Sequence, residues 1–161
     1  MTITNGSTAI FVKDIKISKE FYNDILKIPV KLDFGKNIIF EGGLALWEID
    51  SSHIIPEKLG IDRISDTSSN RFELYYETED IEEVLKTLKN NNIWFLHEIH
   101  EESWGQRTIR FFDPDNHLIE IGESLKQFIS RFYKQGLAVG QISQQTHVPV
   151  EEIEKLLQLK N

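Results

Sequence analysis

Trp104-Gly105-Gln106-Arg107 and, four residues on, Phe111-Phe112-Asp113-Pro114-Asp115-Asn116-His117-Leu118-Ile119-Glu120-Ile121 decide how this chain of 161 residues is read. Asp113-Pro114-Asp115-Asn116 is a tight-turn sequence. Proline at its second position fixes φ, and the Asp and Asn side chains satisfy nearby backbone groups. The β-prone runs on either side, Gln106–Phe112 and His117–Ile121, become antiparallel strands. Side chains alternate along a strand, so Ile119 and Ile121 turn to a core and Glu120 to the opposite face.

Working outward, the chain repeats itself. Ile10-Phe11-Val12-Lys13-Asp14-Ile15 recurs as Tyr76-Glu77-Thr78-Glu79-Asp80-Ile81. Each extended run ends at Asp-Ile, with the Asp placed to cap a helix. Ile15, Ser18, Phe21, Tyr22, Ile25 and Leu26 mark one helical face in the first copy, and Ile81, Val84, Leu85 and Leu88 in the second. Three short strands follow each helix: Val30–Phe34, Asn37–Glu41 and Gly43–Ile49, then Ile93–His100, Gln106–Phe112 and His117–Ile121. The order is strand, helix, three strands, twice. The predicted class is α+β: two tandem βαβββ modules, 7–49 and 71–121 within a domain of 1–122, forming a concave mixed sheet with the helices outside. A polar stretch from Ser51 to Asn70 joins them, with a short helical turn near Pro56–Leu59.

Residues 123–161 lie outside the repeat and read as a three-helix extension: Glu123–Gln135, Leu137–Thr146 and Val150–Leu159. Val139–Pro149 has the pattern of a helix-turn-helix core. Nucleic acid is nonetheless an unfavourable partner. The tail sets Lys126, Arg131, Lys134, Lys155 and Lys160 against Glu123, Glu151, Glu152 and Glu154, and the whole chain carries a net charge of −8. Three of those glutamates open the would-be recognition helix, where phosphates would be met.

Cysteine is absent, which removes disulfides, thiolate ligands and cysteine nucleophiles and suits a reducing cytoplasm. No leader pattern and no membrane-length apolar run is expected from the sequence.

The terminal motif, together with Phe11-Val12-Lys13-Asp14…Ser18-Lys19-Glu20-Phe21-Tyr22, resembles the vicinal-oxygen-chelate superfamily, which comprises glyoxalases, bleomycin-resistance proteins and dioxygenases. The resemblance covers about residues 7 to 122. In metal-using relatives such as glyoxalase I, it implies four ligands from the first and last strands of the two modules, usually histidines and glutamates. The repeat transfers those places. Ser7 stands seven residues before Asp14, and Glu73 seven before Asp80. Reading Ala45, Trp47 and Ile49 as core-facing leaves Glu48 inward. The four places become Ser7, Glu48, Glu73 and Glu120.

Histidine is missing from both first-strand places. A metal set of Glu48, Glu73 and Glu120 suits Mg²⁺, Mn²⁺ or Ca²⁺ better than Zn²⁺ or Ni²⁺. Without a cation, those carboxylates would repel one another and raise at least one pKa. His97 and His100, three apart on a strand, are expected on opposite sides. Ser7, Tyr75, Trp104 and Arg107 are the expected ligand-contacting residues, with Trp104 and Arg107 at the cleft mouth. Glu120 is the expected catalytic residue.

Three functions stay open at this level. One is a glyoxalase-like protein that binds or transforms a small molecule, as a lyase or dioxygenase-like enzyme if it is an enzyme, with a divalent ion as Lewis acid. Another is a metal-free binder of a cationic molecule such as an antibiotic, as in the bleomycin-resistance branch. The third is a ligand-sensing regulator. A homodimer is expected, with the tail offering apolar surface through Phe128, Phe132, Leu137, Ile142, Ile153, Leu156 and Leu157.

Overall fold

The computed structural model describes residues 8–49, 51–60, 62 and 72–158. Those up to Phe72, together with Phe112–His117, form one compact unit. Glu73–Phe111 and the residues from Leu118 onward form a second.

In the first unit, β1 (Thr8–Phe11), β2 (Val30–Asp33), β3 (Asn37–Phe40) and β4 (Leu44–Trp47) lie in the order β1-β4-β3-β2. β1 runs parallel to β4, and the other pairs are antiparallel. Helix α1 (Ile15–Lys19) starts at Asp14, whose Oδ1 accepts the amides of Lys16 and Ile17. It continues through Glu20–Ile25 in wider π turns, with Leu26 N donating to Phe21 O at 3.0 Å. Phe21 and Tyr22 are buried by this winding, with Ile10, Val12, Ile38, Phe40, Leu44 and Leu46. A short α2 (Ile54–Leu59) follows.

The pairings Ile10↔Leu46 and Ile38↔Leu46 place these three residues on one face. The sequence reading of β4 is therefore inverted. Leu44 and Leu46 face α1, while Ala45 and Trp47 face away with Phe11 and Ile39. Leu44, Ala45 and Leu46 are all buried, so an apolar run without alternation concealed which face was which.

The Asp113–Asn116 turn belongs to this first unit. Asp113 Oδ1 accepts the amides of Asp115 and His117 at 2.9 and 2.8 Å. Its Oδ2 accepts the Tyr22 hydroxyl and His117 Nδ1, both at 2.8 Å. Asp115 accepts the Lys13 amide at 3.2 Å and Ser18 Oγ at 3.3 Å. Both carboxylates are buried.

In the second unit, β5 (Leu74–Thr78), β6 (Phe95–Glu101), β7 (Arg107–Phe112) and β8 (Leu118–Glu123) repeat the topology as β5-β8-β7-β6, with β5 parallel to β8. Helix α3 (Ile81–Asn90), capped by Asp80, buries Ile81 and Leu88 on the sheet face that carries Leu74, Ile109, Phe111, Ile119 and Ile121.

The tail forms α4 (Leu125–Lys134), α5 (Val139–Thr146) and α6 (Val150–Leu156). Two expectations change here. Glu123 ends β8 instead of opening a helix, and Ser124 is the cap of α4. The apolar residues assigned to a dimer surface instead close on one another. Phe128, Ile129, Phe132, Ile142 and Ile153 make a core, and Leu137, Leu156 and Leu157 pack against it. Three short helices need that burial to persist at all.

Replacing Asp113 with Ala removes an acceptor of the Tyr22 hydroxyl, of the buried Asp115 amide and of the half-buried His117 amide. It should cost about 2–3 kcal/mol in urea unfolding, whereas Pro114→Ala, which keeps every hydrogen bond, should cost under about 1 kcal/mol.

Candidate functional site

The face of the second sheet turned away from α3 is where the charges gather. Glu120 pairs with Tyr75 across β8 and β5, so the two side chains share that face. On β7, the buried Ile109 and Phe111 take the helix side, so Thr108 and Arg110 take the open one.

Arg110 is the centre of the group. Its Nε donates to Glu73 Oε2 at 3.0 Å, and its Nη1 donates to Glu102 Oε1 at 2.7 Å. Its Nη2 is in ion contact with Glu120 Oε2. Glu102 also accepts the Thr108 hydroxyl at 3.2 Å. His97 completes the ring of partners. Its Nδ1 lies 2.7 Å from the Glu98 carbonyl, which can only accept, so Nδ1 carries the proton and Nε2 accepts from Arg110 Nη1 at 3.3 Å.

Three carboxylates thus meet one guanidinium, and formal charge leaves an excess of two negatives if all are ionised. The excess falls on Glu120, which is 4% exposed. Burial pushes its carboxyl above the usual range, and the charges of Glu73 and Glu102 add to this against the pull of Arg110. Glu102 is held below the usual range by its hydrogen bond from Arg110. For Arg110, burial acts against the charge, but hydrogen bonds to Glu102 and Glu73 outweigh it and raise the pKa.

A second cluster borders the first. Gln106 is buried, and its Nε2 donates to the Tyr75 hydroxyl at 3.0 Å and to the Glu123 carbonyl at 2.8 Å. Its Oε1 accepts from Trp104 Nε1 at 3.2 Å. The Tyr75 hydroxyl in turn donates to Glu77 at 3.1 Å. Gly122 makes room for this arrangement, since a Cβ there would lie 2.7 Å from Gln106 Nε2. Tyr75 and Trp104 are 46% and 39% exposed. Their polar atoms are already engaged, so what they leave exposed is chiefly ring surface.

The expected site residues fall out as follows. Glu73, Tyr75, Trp104 and Glu120 lie in the two joined clusters. Ser7 lies outside the described residues. Glu48 turns to the helix side of the first sheet, where its Oε2 accepts the Ile15 amide at 2.9 Å and its Oε1 lies 3.5 Å from Lys36 Nζ. It serves the start of α1, because β4 has the opposite parity from the one expected. Arg107 is likewise on the helix side, bound to Glu123 and to Glu82 of α3. Arg110, three residues on, takes the open-face position assigned to it.

His97 and His100 were expected on opposite sides. Register shifts within β6 instead bring their rings to 5.5 Å on one side. Arg110, Glu102, Gln106 and His97 were missed. Arg110 had a signal in its alternation with Ile109 and Phe111, and Gln106 in its place within the Trp104–Arg107 motif.

A divalent cation fits this group poorly. The point on which Glu73, Glu102 and Glu120 converge is held by a guanidinium that a second cation would have to displace. Among the described residues no group of three or more His, Asp or Glu side chains is disposed to hold a metal.

The glyoxalase-like domain family model matches residues 6–126, and the chain belongs to that family. An uncharacterized protein of Bacillus subtilis (strain 168), YraH, is 27% identical over 124 residues, covering 72% of this chain and 94% of that one. A crystal structure of a protein of unknown function from Agrobacterium tumefaciens is 34% identical with a TM-score of 0.64, covering 78% of this chain and 97% of that one. A glyoxalase/bleomycin resistance protein/dioxygenase from Nocardioides shares the fold at 23% identity, with a TM-score of 0.56 and coverage of 76% and 85%.

The raised Glu120 carboxyl binds its proton more tightly in the folded chain than in the unfolded one. Its contribution to stability is therefore present below the ordinary glutamate pKa, about 4.3, and is lost as pH rises through the higher folded value. Urea unfolding across that range should show this loss in the wild type and a flatter profile in Glu120→Gln.

Proposed function

We propose that this chain binds a small organic cation on the open face of its second module, and that it does so without a divalent metal. The observation that carries the reading is the surplus of carboxylate around Arg110: Glu73, Glu102 and Glu120 against one guanidinium. A ligand ammonium placed beside Glu120 and Glu73 would neutralise that surplus. The ring faces of Tyr75 and Trp104 supply cation–π and stacking contacts alongside it. Binding in this arrangement requires Glu120 ionised, so affinity rises with pH as Glu120 loses its proton.

Glu120 also supports a second reading. A buried carboxyl held above its usual pKa can accept a proton from a bound carbonyl compound and return it, which is the role of an isomerase or lyase base. That reading places catalysis on Glu120 and binding on the same neighbours.

Among the described residues no helix is long and apolar enough to cross a membrane. The lack of cysteine supports a cytoplasmic setting. We also propose a homodimer, supported by the exposed Trp94 and Leu96, which are 65% and 56% accessible. Light scattering should give twice the mass of 18.8 kDa, and Leu96→Lys should shift the balance towards monomer.

Benzyltrimethylammonium tests the main reading, with benzoate as the anionic counterpart. Calorimetry should show binding of the cation only, undiminished after dialysis against a chelator. Glu120→Gln or Glu73→Gln should weaken it about tenfold, a loss of about 1.4 kcal/mol. Preference for benzoate, or a requirement for added Mg²⁺ or Mn²⁺, would overturn the proposal.

A further inference from the structure

The C-terminal helices reach the turn between β6 and β7, which borders the binding face. That turn is closed by Glu102 N donating to Gln106 O and by Gly105 N donating to Glu102 O, both at 2.8 Å. It carries Trp104 at its tip and Gln106 at its exit. Gly105 has φ +97°, a conformation that side-chain-bearing residues rarely adopt.

The missing side chain matters for a second reason. A Cβ on Gly105 would sit 2.1 Å from Phe132 Cζ and 3.2 Å from Gln145 Nε2, so α4 and α5 fill the space where that atom would be. Arg131 Nη2 donates to the Gly105 carbonyl. The same guanidinium group binds Glu123 Oε2 at 3.0 Å, and Glu123 is also held by Arg107 Nη2 at 2.8 Å. Phe132 is itself 4% exposed in the core of the tail, so its ring is fixed from behind by Phe128, Ile142 and Ile153. One carboxylate, one guanidinium and one ring therefore connect the packing of three helices to the residue that presents Trp104.

We propose that the C-terminal extension is a working part of the ligand site, with Arg131 and Phe132 as positioning residues that hold the Glu102–Gln106 turn and orient Trp104 and Gln106. The role in ligand binding rests on the reading that Trp104 and Tyr75 meet the ligand. The role in holding the turn does not. A partner or modification that shifts the tail would then change ligand affinity through this turn, which carries Trp104, Gln106 and Glu102.

The test uses the full chain labelled with 5-fluorotryptophan. Its three tryptophans, Trp47, Trp94 and Trp104, give three ¹⁹F signals, and the one lost in Trp104→Phe is Trp104. Phe132→Leu, which keeps an apolar residue in the tail core, should shift or broaden the Trp104 signal and leave Trp47 and Trp94 in place. It should also weaken benzyltrimethylammonium binding severalfold. Arg131→Lys keeps the charge but loses the planar fork that reaches Gly105 and Glu123 together, and it should act the same way. If Phe132→Leu moves all three signals, the milder Arg131→Lys decides. A Trp104 signal unmoved in Arg131→Lys overturns the proposal. A wild-type chain that binds no cation, yet shows the Trp104 shift in the variants, would sink the ligand reading and leave the positioning role standing.

Discussion

On a strand without a bulge, residues three apart fall on opposite faces, and that rule, applied to Arg107 and Arg110 of β7, divides the electrostatics of the second module in two. Arg107 turns to the helix side and secures Glu123, whose carboxyl is buried. Burial alone would raise that carboxyl, but hydrogen bonds from Arg107 and Arg131 outweigh it and hold it below the usual range. Arg110 turns to the other side and gathers Glu73, Glu102 and Glu120. The first network sets two guanidinium groups about one buried carboxylate, with the exposed Glu82 and Glu101 as their outer partners, and its role is structural. The second sets one guanidinium among three carboxylates. A buried carboxylate is tolerated only when paired. The contrast between the two faces of one strand therefore puts the surplus of carboxylate on the face that carries Glu120.

The two modules share a topology but differ in what they leave open. In the first, the face turned from α1 carries Phe11, Ile39, Ala45 and Trp47, with Asn37 beside Trp47, and is mostly apolar. In the second, the corresponding face is charged and bordered by aromatic rings whose polar atoms are spent internally. A duplicated frame has thus been given two chemistries. The carboxylate at the end of β4, Glu48, is used to receive the first amide of α1, while its counterpart region on β8 ends in Glu120 and Glu123 facing opposite ways.

Much of this was legible in residues that alternate. Ile119-Glu120-Ile121 declares its register, because a charge between two β-branched residues has one comfortable orientation, and Glu73 followed from the repeat with Asp80 as its marker. Leu44-Ala45-Leu46-Trp47 declares nothing, because the run is apolar throughout and its first three residues are all buried, and Glu48 was misplaced in consequence. Arg107 went astray for a different reason. A guanidinium beside the core looks improbable until its acidic partners are known, and Glu82, Glu123 and Arg131 come together only in three dimensions. His97 and His100 depended on register shifts in β6 that no residue type announces. The tail's core residues were recognised as apolar, but whether they close on themselves or on a partner is not encoded in their spacing.

The Asp113–Asn116 turn has a consequence for the order in which the chain acquires its shape. Its partners Lys13, Ser18 and Tyr22 lie 102, 97 and 91 residues earlier in sequence. During synthesis the first unit emerges well before the carboxylates that complete it. Until Asp113 and Asp115 arrive, the Tyr22 hydroxyl and the Lys13 amide lack these acceptors, and the enclosure of Tyr22 is incomplete. Separations of this size slow two-state folding, since a long loop must close before the contact can repay it. The nascent first unit is therefore expected to stay loosely packed on the ribosome, a natural client for a holding chaperone, until most of the second module has been made.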